Sequence, residues 1–214
     1  MTERILRLLK GKKSWWLADA QKLADDYPYT FHKPSSEAVQ LLKPEDGVKL
    51  IFRFDSDDPE APNAERMWVE ITKVSDRKFE GVLDNDPAYI KDIKCGDPLT
   101  FKRKHIIQVS IDDPVPSKTD KYLPRCFVTQ RIMKDGQKIG YLYREEPDRE
   151  EDSGWRFLCG DESDEYMEDS ENICLVSLGA VLREDDRVLG LLDAPVGAAF
   201  AFDVSRGDFV PVAD

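Results

Sequence analysis

The 214-residue chain contains only two histidines and four cysteines, and this scarcity restricts the chemistry that it can support. His32 and His105 lie in separate segments, and neither has a Cys, Ser or Asp partner at a spacing typical of a catalytic pair. No CxxC spacing and no neighbouring histidine accompany the cysteines, which argues against a zinc site: Cys95, Cys126, Cys159 and Cys174. We therefore expect reduced cysteines, as in a cytoplasmic protein, and no metal or other cofactor.

Long apolar runs are also missing. No run approaches the roughly 18 residues that a membrane-spanning helix requires. Residues 1–13 mix apolar with charged side chains and lack the continuous apolar stretch of a secretory signal. We interpret them as a helix that docks on its own domain, with a short basic helix on a membrane surface as the alternative. The chain has no G-x-G-x-x-G, P-loop, H-E-x-x-H or G-x-S-x-G signature, so the sequence predicts a cytoplasmic protein without a membrane partner.

Negative charge is what the chain has in excess, and the excess lies in its second half. The net charge is −12. Residues 1–111 hold 19 acidic and 19 basic side chains, whereas residues 112–214 hold 24 acidic and 12 basic ones. Thirteen of the acids fall within residues 145–171, where Trp155 and Tyr166 are among the residues that interrupt the run. A purely solvating tail would lack such hydrophobes, so the pattern favours a folded acidic surface and a cationic partner.

A polar, proline-containing stretch marks the predicted domain boundary. Residues 112–122 include Pro114 and Pro116 and coincide with the change in charge balance. We therefore predict a β-rich domain over residues 1–111, a linker over residues 112–122 and an acidic domain over residues 123–214. The length is compatible with this division, because domains of about 100 residues are common.

The first domain shows helix signals followed by strand signals. Ser14 is predicted to cap a helix that continues to Ala24 and that Pro28 stops. A second short helix, with Glu37 in its first turn, is predicted to end near Leu42. Alternating apolar residues then predict four strands: Val48–Phe54, Arg66–Val74, Lys78–Leu83 and Leu99–Val109. We expect an antiparallel sheet or partial barrel with helices at its start.

The second domain is predicted to combine strands and helices. The Asp135-Gly136 pair predicts a hairpin between the strands Arg125–Arg131 and Lys138–Tyr143. Further elements are predicted along the chain, namely strands at Trp155–Cys159 and Ile173–Ser177, helical segments within Glu162–Asp169 and Gly179–Leu192, and a return to strand over Pro195–Val212. The whole chain is therefore predicted to be α+β.

Two candidate ligand sites were weighed and set aside. The basic run Lys102–His105 lies on the predicted last strand of the first domain, where alternation sends only half of the side chains to one face. The negative protein would also repel polyanions, so we expect no nucleic-acid partner. Asp161, Asp164 and Glu165 suit a divalent-cation site only of a looser kind than an EF-hand, because Tyr166 stands where that loop needs Gly. A solvated acidic face is the preferred interpretation.

Particular residue strings resemble known bacterial families. The second half contains Gly140-Tyr141-Leu142-Tyr143-Arg144-Glu145-Glu146-Pro147-Asp148, Asp152-Ser153-Gly154-Trp155-Arg156-Phe157 and Leu192-Asp193-Ala194-Pro195-Val196-Gly197. These strings resemble a domain family of unknown activity whose members include immunity proteins, the antidotes to polymorphic toxins. The first half resembles a second, uncharacterised family through Trp16-Leu17-Ala18-Asp19-Ala20, Val48-Lys49-Leu50-Ile51-Phe52, Glu65-Arg66-Met67-Trp68-Val69 and Asp84-Asn85-Asp86-Pro87. Neither resemblance supplies a catalytic residue.

These observations favour a non-enzymatic binding protein, an immunity protein that covers a basic surface of a toxin with its acidic C-terminal face. The predicted contact residues are Asp148, Asp152, Asp161, Glu162, Asp164, Glu165 and Tyr166. Trp155 and Phe157 are assigned to the core. The alternatives are a metal-assisted hydrolase that uses carboxylates around Asp148–Asp164, and a regulatory scaffold whose first domain binds peptides on a sheet edge. The oligomeric state is not predicted.

Overall fold

The computed structural model describes most of the chain, namely residues 13–56, 60 and 62–212. The helix considered for residues 1–13 falls almost wholly outside the described residues. The described chain forms two compact units, residues 13–26 with 31–117 and residues 27–30 with 118–212. Each unit is built on its own sheet and carries short helices, so the predicted α+β class is confirmed.

The first unit is built on a six-stranded antiparallel sheet: β1 (Trp15–Leu17), β2 (Gly47–Phe54), β3 (Ala64–Val74), β4 (Phe79–Leu83), β5 (Pro98–Phe101) and β6 (Ile106–Val109). The order is β1-β2-β3-β4-β5, and β6 pairs with β2. Since β3 occupies one edge of β2, β1 and β6 share the other edge, at opposite ends. The chain passes from β5 to β6 through a short 3₁₀ helix, so the sheet curls into the partial barrel that was expected.

The predicted strand Leu99–Val109 is wrong at its centre. A 3₁₀ helix, Arg103–His105, separates β5 from β6. The turn is closed by the His105 N–H, which donates to the Lys102 carbonyl oxygen at 2.9 Å. The basic cluster therefore does not alternate along a strand. Lys104 instead forms an ion pair with Asp19, at 2.8 Å between Nζ and Oδ2.

The predicted helix cap at Ser14 is also wrong. Trp15–Leu17 is a strand, and the Ser14 N–H and hydroxyl both donate to the carboxylate of Asp92, at 2.7 and 2.6 Å. Helix α1 (Ala20–Asp26) begins only after Asp19, whose carboxylate accepts from the N–H groups two and three residues ahead. Pairing of Trp15 and Leu17 with a buried strand thus overrides the helical spacing of the apolar residues.

Helix α2 (Ser36–Leu41) agrees with the predicted second helix. Ser35 caps it by accepting a hydrogen bond from the Ala38 N–H at 2.9 Å. The core of the unit is formed by alternating apolar residues of the strands, with buried residues of the connecting segments. Gly81 on β4 marks a close approach to β3. A Cβ at this position would lie 2.5 Å from the Glu70 carbonyl oxygen and 2.7 Å from Cγ1 of Val69. A side chain at position 81 would therefore force the two strands apart.

The second unit is built on a mixed six-stranded sheet: β7 (Arg125–Thr129), β8 (Tyr141–Arg144), β9 (Asp152–Leu158), β10 (Ile173–Ser177), β11 (Ala199–Asp203) and β12 (Asp208–Pro211). The order is β10-β7-β9-β8-β11-β12, and only β7 and β9 run parallel among the paired strands described. The helices are α3 (Gln130–Met133), α4 (Asp164–Glu168) and α5 (Leu178–Glu184), with 3₁₀ helices at Asp120–Tyr122, Ser170–Asn172 and Asp186–Leu191.

The predicted hairpin between Arg125–Arg131 and Lys138–Tyr143 is wrong. Strand β7 ends at Thr129 and α3 follows directly, so the turn at Gly136 reverses the chain after a helix rather than between two strands. Strand β9 lies between β7 and β8 in the sheet. The unit does contain antiparallel hairpins, formed by β8 with β9 and by β11 with β12.

The core of the second unit lies on the face of the sheet covered by α3 and α5. Trp155 and Phe157 are each 1% exposed and point into this core, as predicted. Tyr29 also belongs to this unit. Its hydroxyl donates to Asp186 at 3.0 Å, and its ring meets the ring of Tyr122 edge-on at 5.4 Å between centroids. A short early segment of the chain thus contributes to the packing of the C-terminal unit.

Candidate partner-binding face

Strand β9 contains one of the strings that resemble the immunity-protein family, and its backbone bulges at Gly154. Between the pairs Arg125–Asp152 and Phe127–Arg156, the register advances by four residues on β9 and by two on β7. Gly154 has a φ of 79°, and a Cβ there would collide with the carbonyl oxygen of Glu145. The bulge shortens β9 and brings the side chain of Asp152 to that of Arg156.

Asp152 and Arg156 form a buried bidentate ion pair. The two guanidinium Nη atoms donate to the two carboxylate oxygens at 2.9 and 2.8 Å, and the side chains are 1% and 7% exposed. The guanidinium also reaches Glu145, at 2.5 Å from Nε to Oε1. The hydrogen bonds from Arg156 are the main cause that lowers the pKa of Asp152 to about 2. The positive charge of Arg156 is therefore compensated internally.

Asp152, one of the predicted contact residues, is occupied by internal hydrogen bonds. Its carboxylate also accepts from the backbone N–H groups of Gly154, at 2.9 Å, and Asp148, at 3.2 Å. A carboxylate with four donors and a side chain that is 1% exposed is not available to a partner. Asp152 instead holds the start of β9 in place.

Glu162 has a similar internal role. Its carboxylate accepts from the N–H groups of Cys159 and Gly160, at 2.7 and 2.8 Å, and from the hydroxyl of Thr129 at 3.0 Å. Burial of this half-buried group acts to raise its pKa, but the hydrogen bonds together outweigh that effect and lower it. Glu162 thus closes the turn that follows β9, rather than pointing freely to solvent.

The exposed predicted acids form two groups instead of one. Asp148 precedes β9, whereas Asp161, Asp164 and Glu165 follow it. A seven-residue strand is about 23 Å long, so the two groups lie at opposite ends of β9. Asp161 is 73% exposed and pairs with Arg131 at 2.9 Å. We call residues 145–151 the β8–β9 acidic loop and residues 161–171 the α4 acidic segment.

Tyr166 fastens the α4 acidic segment to the sheet. Its hydroxyl donates to the carbonyl oxygen of Asn172 at 3.4 Å, and the Asn172 side-chain amide donates back to the Tyr166 carbonyl oxygen at 3.0 Å. Ser163 caps α4 by accepting from the Tyr166 N–H at 3.2 Å. Tyr166 is half-buried, so only part of its ring is available to a partner.

The sheet face opposite the core, called here the outward face, is mainly apolar. Its apolar side chains alternate with those of the core cluster and are all half-buried: Phe127, Tyr141, Tyr143, Leu158, Ile173, Leu175, Ala199, Ala201 and Val210. Polar and charged residues share the face, namely Arg125, Thr129, Arg156, Ser177, Asp203 and Asp208. A sheet with one face in water ordinarily carries polar residues there. Our sequence reasoning missed these positions, although the aromatic residues on either side of Leu142 were a signal for them.

The strings that resemble the immunity-protein family meet at Arg144. Its guanidinium donates to the carbonyl oxygens of Ser153, at 3.1 Å, and Ala194, at 2.7 Å, and lies 5.8 Å from the ring centroid of Trp155. The indole N–H of Trp155 donates to the Leu192 carbonyl oxygen at 3.2 Å. These residues therefore stabilise the fold, so the resemblance indicates a shared architecture and does not by itself identify the residues that contact a partner.

The geometry gives no support to the hydrolase alternative. Within the part of the chain that the structure describes, no group of three or more His, Cys, Asp or Glu side chains is arranged to hold a metal ion. The carboxylates around Asp148–Asp164 are divided between the two ends of β9. All four cysteines are free thiols, and burial raises the pKa of Cys126 to about 12.

Comparison with protein families agrees with both resemblances. Residues 126–213 match the family model of the immunity protein Imm33 domain. Residues 16–112 match the model of an uncharacterized protein family conserved in bacteria, DUF2314. An immunity-protein domain implies a protein partner such as a toxin.

Other comparisons add little. No curated protein and no solved structure matches the chain. Among the described residues, no helix has the length and apolar character needed to cross a membrane.

Proposed function

We propose that the chain is a non-enzymatic, cytoplasmic immunity protein whose second unit neutralises a toxin by binding a basic surface on it. The match of residues 126–213 to an immunity-protein domain carries this proposal. The excess of acidic side chains in the same half indicates the charge of the partner. Toxins that act on nucleic acid have basic clefts because they bind polyanions, and an acidic protein complements such a cleft.

The contact set of this proposal is smaller than the sequence-based set. Asp152 and Glu162 are held by internal hydrogen bonds and serve as supports. The retained candidates are exposed or half-exposed: Asp148, Asp161, Asp164, Glu165 and Tyr166.

The exposed acids at both ends of β9 attract the partner mainly while it approaches, before the two protein surfaces touch. Their field attracts a basic partner over a distance that salt limits, since the screening length is about 8 Å at physiological ionic strength. The main expected effect is on the association rate. Their contribution to folding is small, because exposed charges are well solvated.

Charge reversal in the α4 acidic segment tests the proposal. The partner is the toxin that the wild-type chain captures from the native cell and neutralises on co-expression. We expect Asp164→Lys with Glu165→Lys to slow association about tenfold at low salt, and less at high salt. The matched control reverses two exposed acids of the first unit, Asp25→Lys with Asp26→Lys, and should change the rate far less.

Two results would count against the proposal. Equal association rates for wild type and the α4 variant at both salt concentrations would show that the acids of the α4 acidic segment do not contribute to binding. A wild-type chain that neither binds nor neutralises any toxin would refute the immunity function itself.

A further inference from the structure

We propose that the outward face of the second sheet is the surface on which the toxin docks, and that the exposed acids form only its rim. This inference rests on the proposed immunity function. It commits to a partner protein whose contact surface has an apolar centre flanked by Lys and Arg.

The composition of the outward face is the first argument. Its nine apolar and aromatic side chains occupy positions where a solvent-facing strand normally places polar residues. A cluster of apolar side chains that stay partly accessible on a small domain is typical of an interaction site. Tyr141 and Tyr143 lie on this face with ring centroids 5.8 Å apart. Paired tyrosines supply large contact area with little rotamer entropy to lose, as at the centres of protein interfaces.

The rigidity of the centre is the second argument. Arg156 lies on the outward face beside Tyr143, and its guanidinium is 4.7 Å from the ring centroid of Phe127. Asp152 and Glu145 neutralise this guanidinium. The guanidinium is thus fully paired, the cluster of one arginine and two carboxylates keeps a net charge of −1, and Arg156 holds the ring of Phe127 before a partner arrives. Such preorganisation lowers the entropic cost of binding.

The acids border this face, which is the third argument. Glu145 of the β8–β9 acidic loop reaches over one end to Arg156. Near the other end of β9, an open cavity of about 640 Å³ is lined by Tyr141 and Leu158 of the outward face and by Asp161 and Met167 of the α4 acidic segment. The basic residues Lys138 and Arg187 also line it. An apolar centre with charged ends is the usual anatomy of a protein interface, and here the charge fits a basic rim on the partner.

The dimensions agree with this division of roles. Six strands at about 4.8 Å spacing and about 15 Å of strand length give a sheet face on the order of 350 Å² in area, polar positions included. A standard interface buries about 800 Å² on each partner. The apolar face is therefore too small alone, and the two acidic borders are the nearest surface that completes it.

Substitution of the outward face tests the inference in the full chain. We expect Tyr141→Lys and Leu175→Lys each to weaken binding of the captured toxin at least thirtyfold, the size of an interface hot spot. Leu189→Lys is the matched control, because Leu189 is an apolar residue that is 37% exposed in the 3₁₀ helix on the core side. It should bind within about twofold of wild type, since it lies outside the proposed surface.

A footprint on the wild-type chain avoids any dependence on the folding of variants. Tyrosine nitration should modify Tyr141 and Tyr143 in the free protein, and the toxin should protect both. Tyr89 of the first unit is 49% exposed and should react equally with and without toxin. Wild-type affinity in both face variants, with unprotected tyrosines, would overturn the docking surface while the toxin binding of wild type still stood.

Two further outcomes are distinguishable. A wild-type chain that sediments as a dimer, with both tyrosines protected in the absence of toxin, would assign the face to a second copy and overturn the inference. A wild-type chain that binds no toxin at all would overturn the proposed function, and the inference with it.

Discussion

Replacement of Asp152 by Asn should lower the free energy of unfolding by about 3 kcal/mol at neutral pH, because breaking a buried ion pair costs about 3–5 kcal/mol. The amide carries no charge and replaces one acceptor of the Arg156 guanidinium with a donor. Glu145 still binds Nε of Arg156, so the arginine keeps one charged partner. We therefore expect a loss near the lower end of that range.

The pH dependence of this effect follows from the pKa of Asp152, which is lowered from 3.8 to about 2. A shift of this size corresponds to roughly 2 kcal/mol of stability from ionised Asp152. Because the folded-state pKa is the lower one, the contribution is complete above about pH 3.8 and is lost as the pH falls through about 2. The stability difference between wild type and Asp152→Asn should therefore shrink on acidification through this window.

Urea denaturation followed by tryptophan fluorescence at pH 7 and near pH 2 measures both effects. Asp148→Asn is the matched control, because Asp148 is an exposed acid in the neighbouring loop. It should change stability by less than about 0.5 kcal/mol. An Asp152→Asn variant as stable as this control at pH 7 would refute the structural role of the ion pair.

Three further predictions concern packing, thiol chemistry and domain structure. Gly81→Ala should cost about 1–3 kcal/mol by crowding β3, and an unchanged melting temperature would contradict this. Maleimide should label the exposed Cys95 rapidly and leave Cys126 unlabelled in the native state, because burial raises the Cys126 pKa to about 12 and the thiolate is the reactive form; equal labelling rates would contradict this. Limited proteolysis should cut first within residues 112–122, and the C-terminal fragment, which lacks residues 27–30, should be folded but less stable than the second unit of the intact chain. Two unfolded fragments would refute the division into domains.

Local signals predicted much of the fold. Glu37 in the first turn helped to identify α2, because helix-start signals depend on residues a few positions apart, and Ser35 caps the observed helix. Alternation identified β2, β3 and β4 to within two residues, and a continuous apolar run identified β10 at its observed bounds. These elements have their determinants within their own sequence.

The errors arose where distant pairing decides the structure. The Asp135-Gly136 signal is compatible with a hairpin, but β9 lies between the two segments, in parallel with β7. Parallel pairing cannot be predicted from neighbouring residues, because the two paired strands are separated in sequence by a crossover connection. Likewise, the strand at Trp15 forms because it pairs with the edge of β2, and the helical spacing of the apolar residues around it does not predict a strand.

The candidate site was predicted in part. The continuous run of acids suggested one patch, whereas β9 separates its exposed members into two groups, and their role in binding stays a prediction. Burial of Asp152 could not be foreseen, because it depends on a bulge at Gly154. The outward face was missed because apolar residues at both alternating positions of β8 and β10 predict a strand without indicating which of its faces is open.

The most direct test of the central claim is the binding kinetics of the full chain with its toxin at two salt concentrations. We expect Leu175→Lys mainly to speed dissociation, because it removes an apolar contact of the proposed docking surface. We expect Asp164→Lys with Glu165→Lys mainly to slow association, and more so at low salt, because it removes attraction before contact. Rates equal to those of wild type for both variants would contradict the claim that the second unit binds its partner through an apolar sheet face bordered by acids.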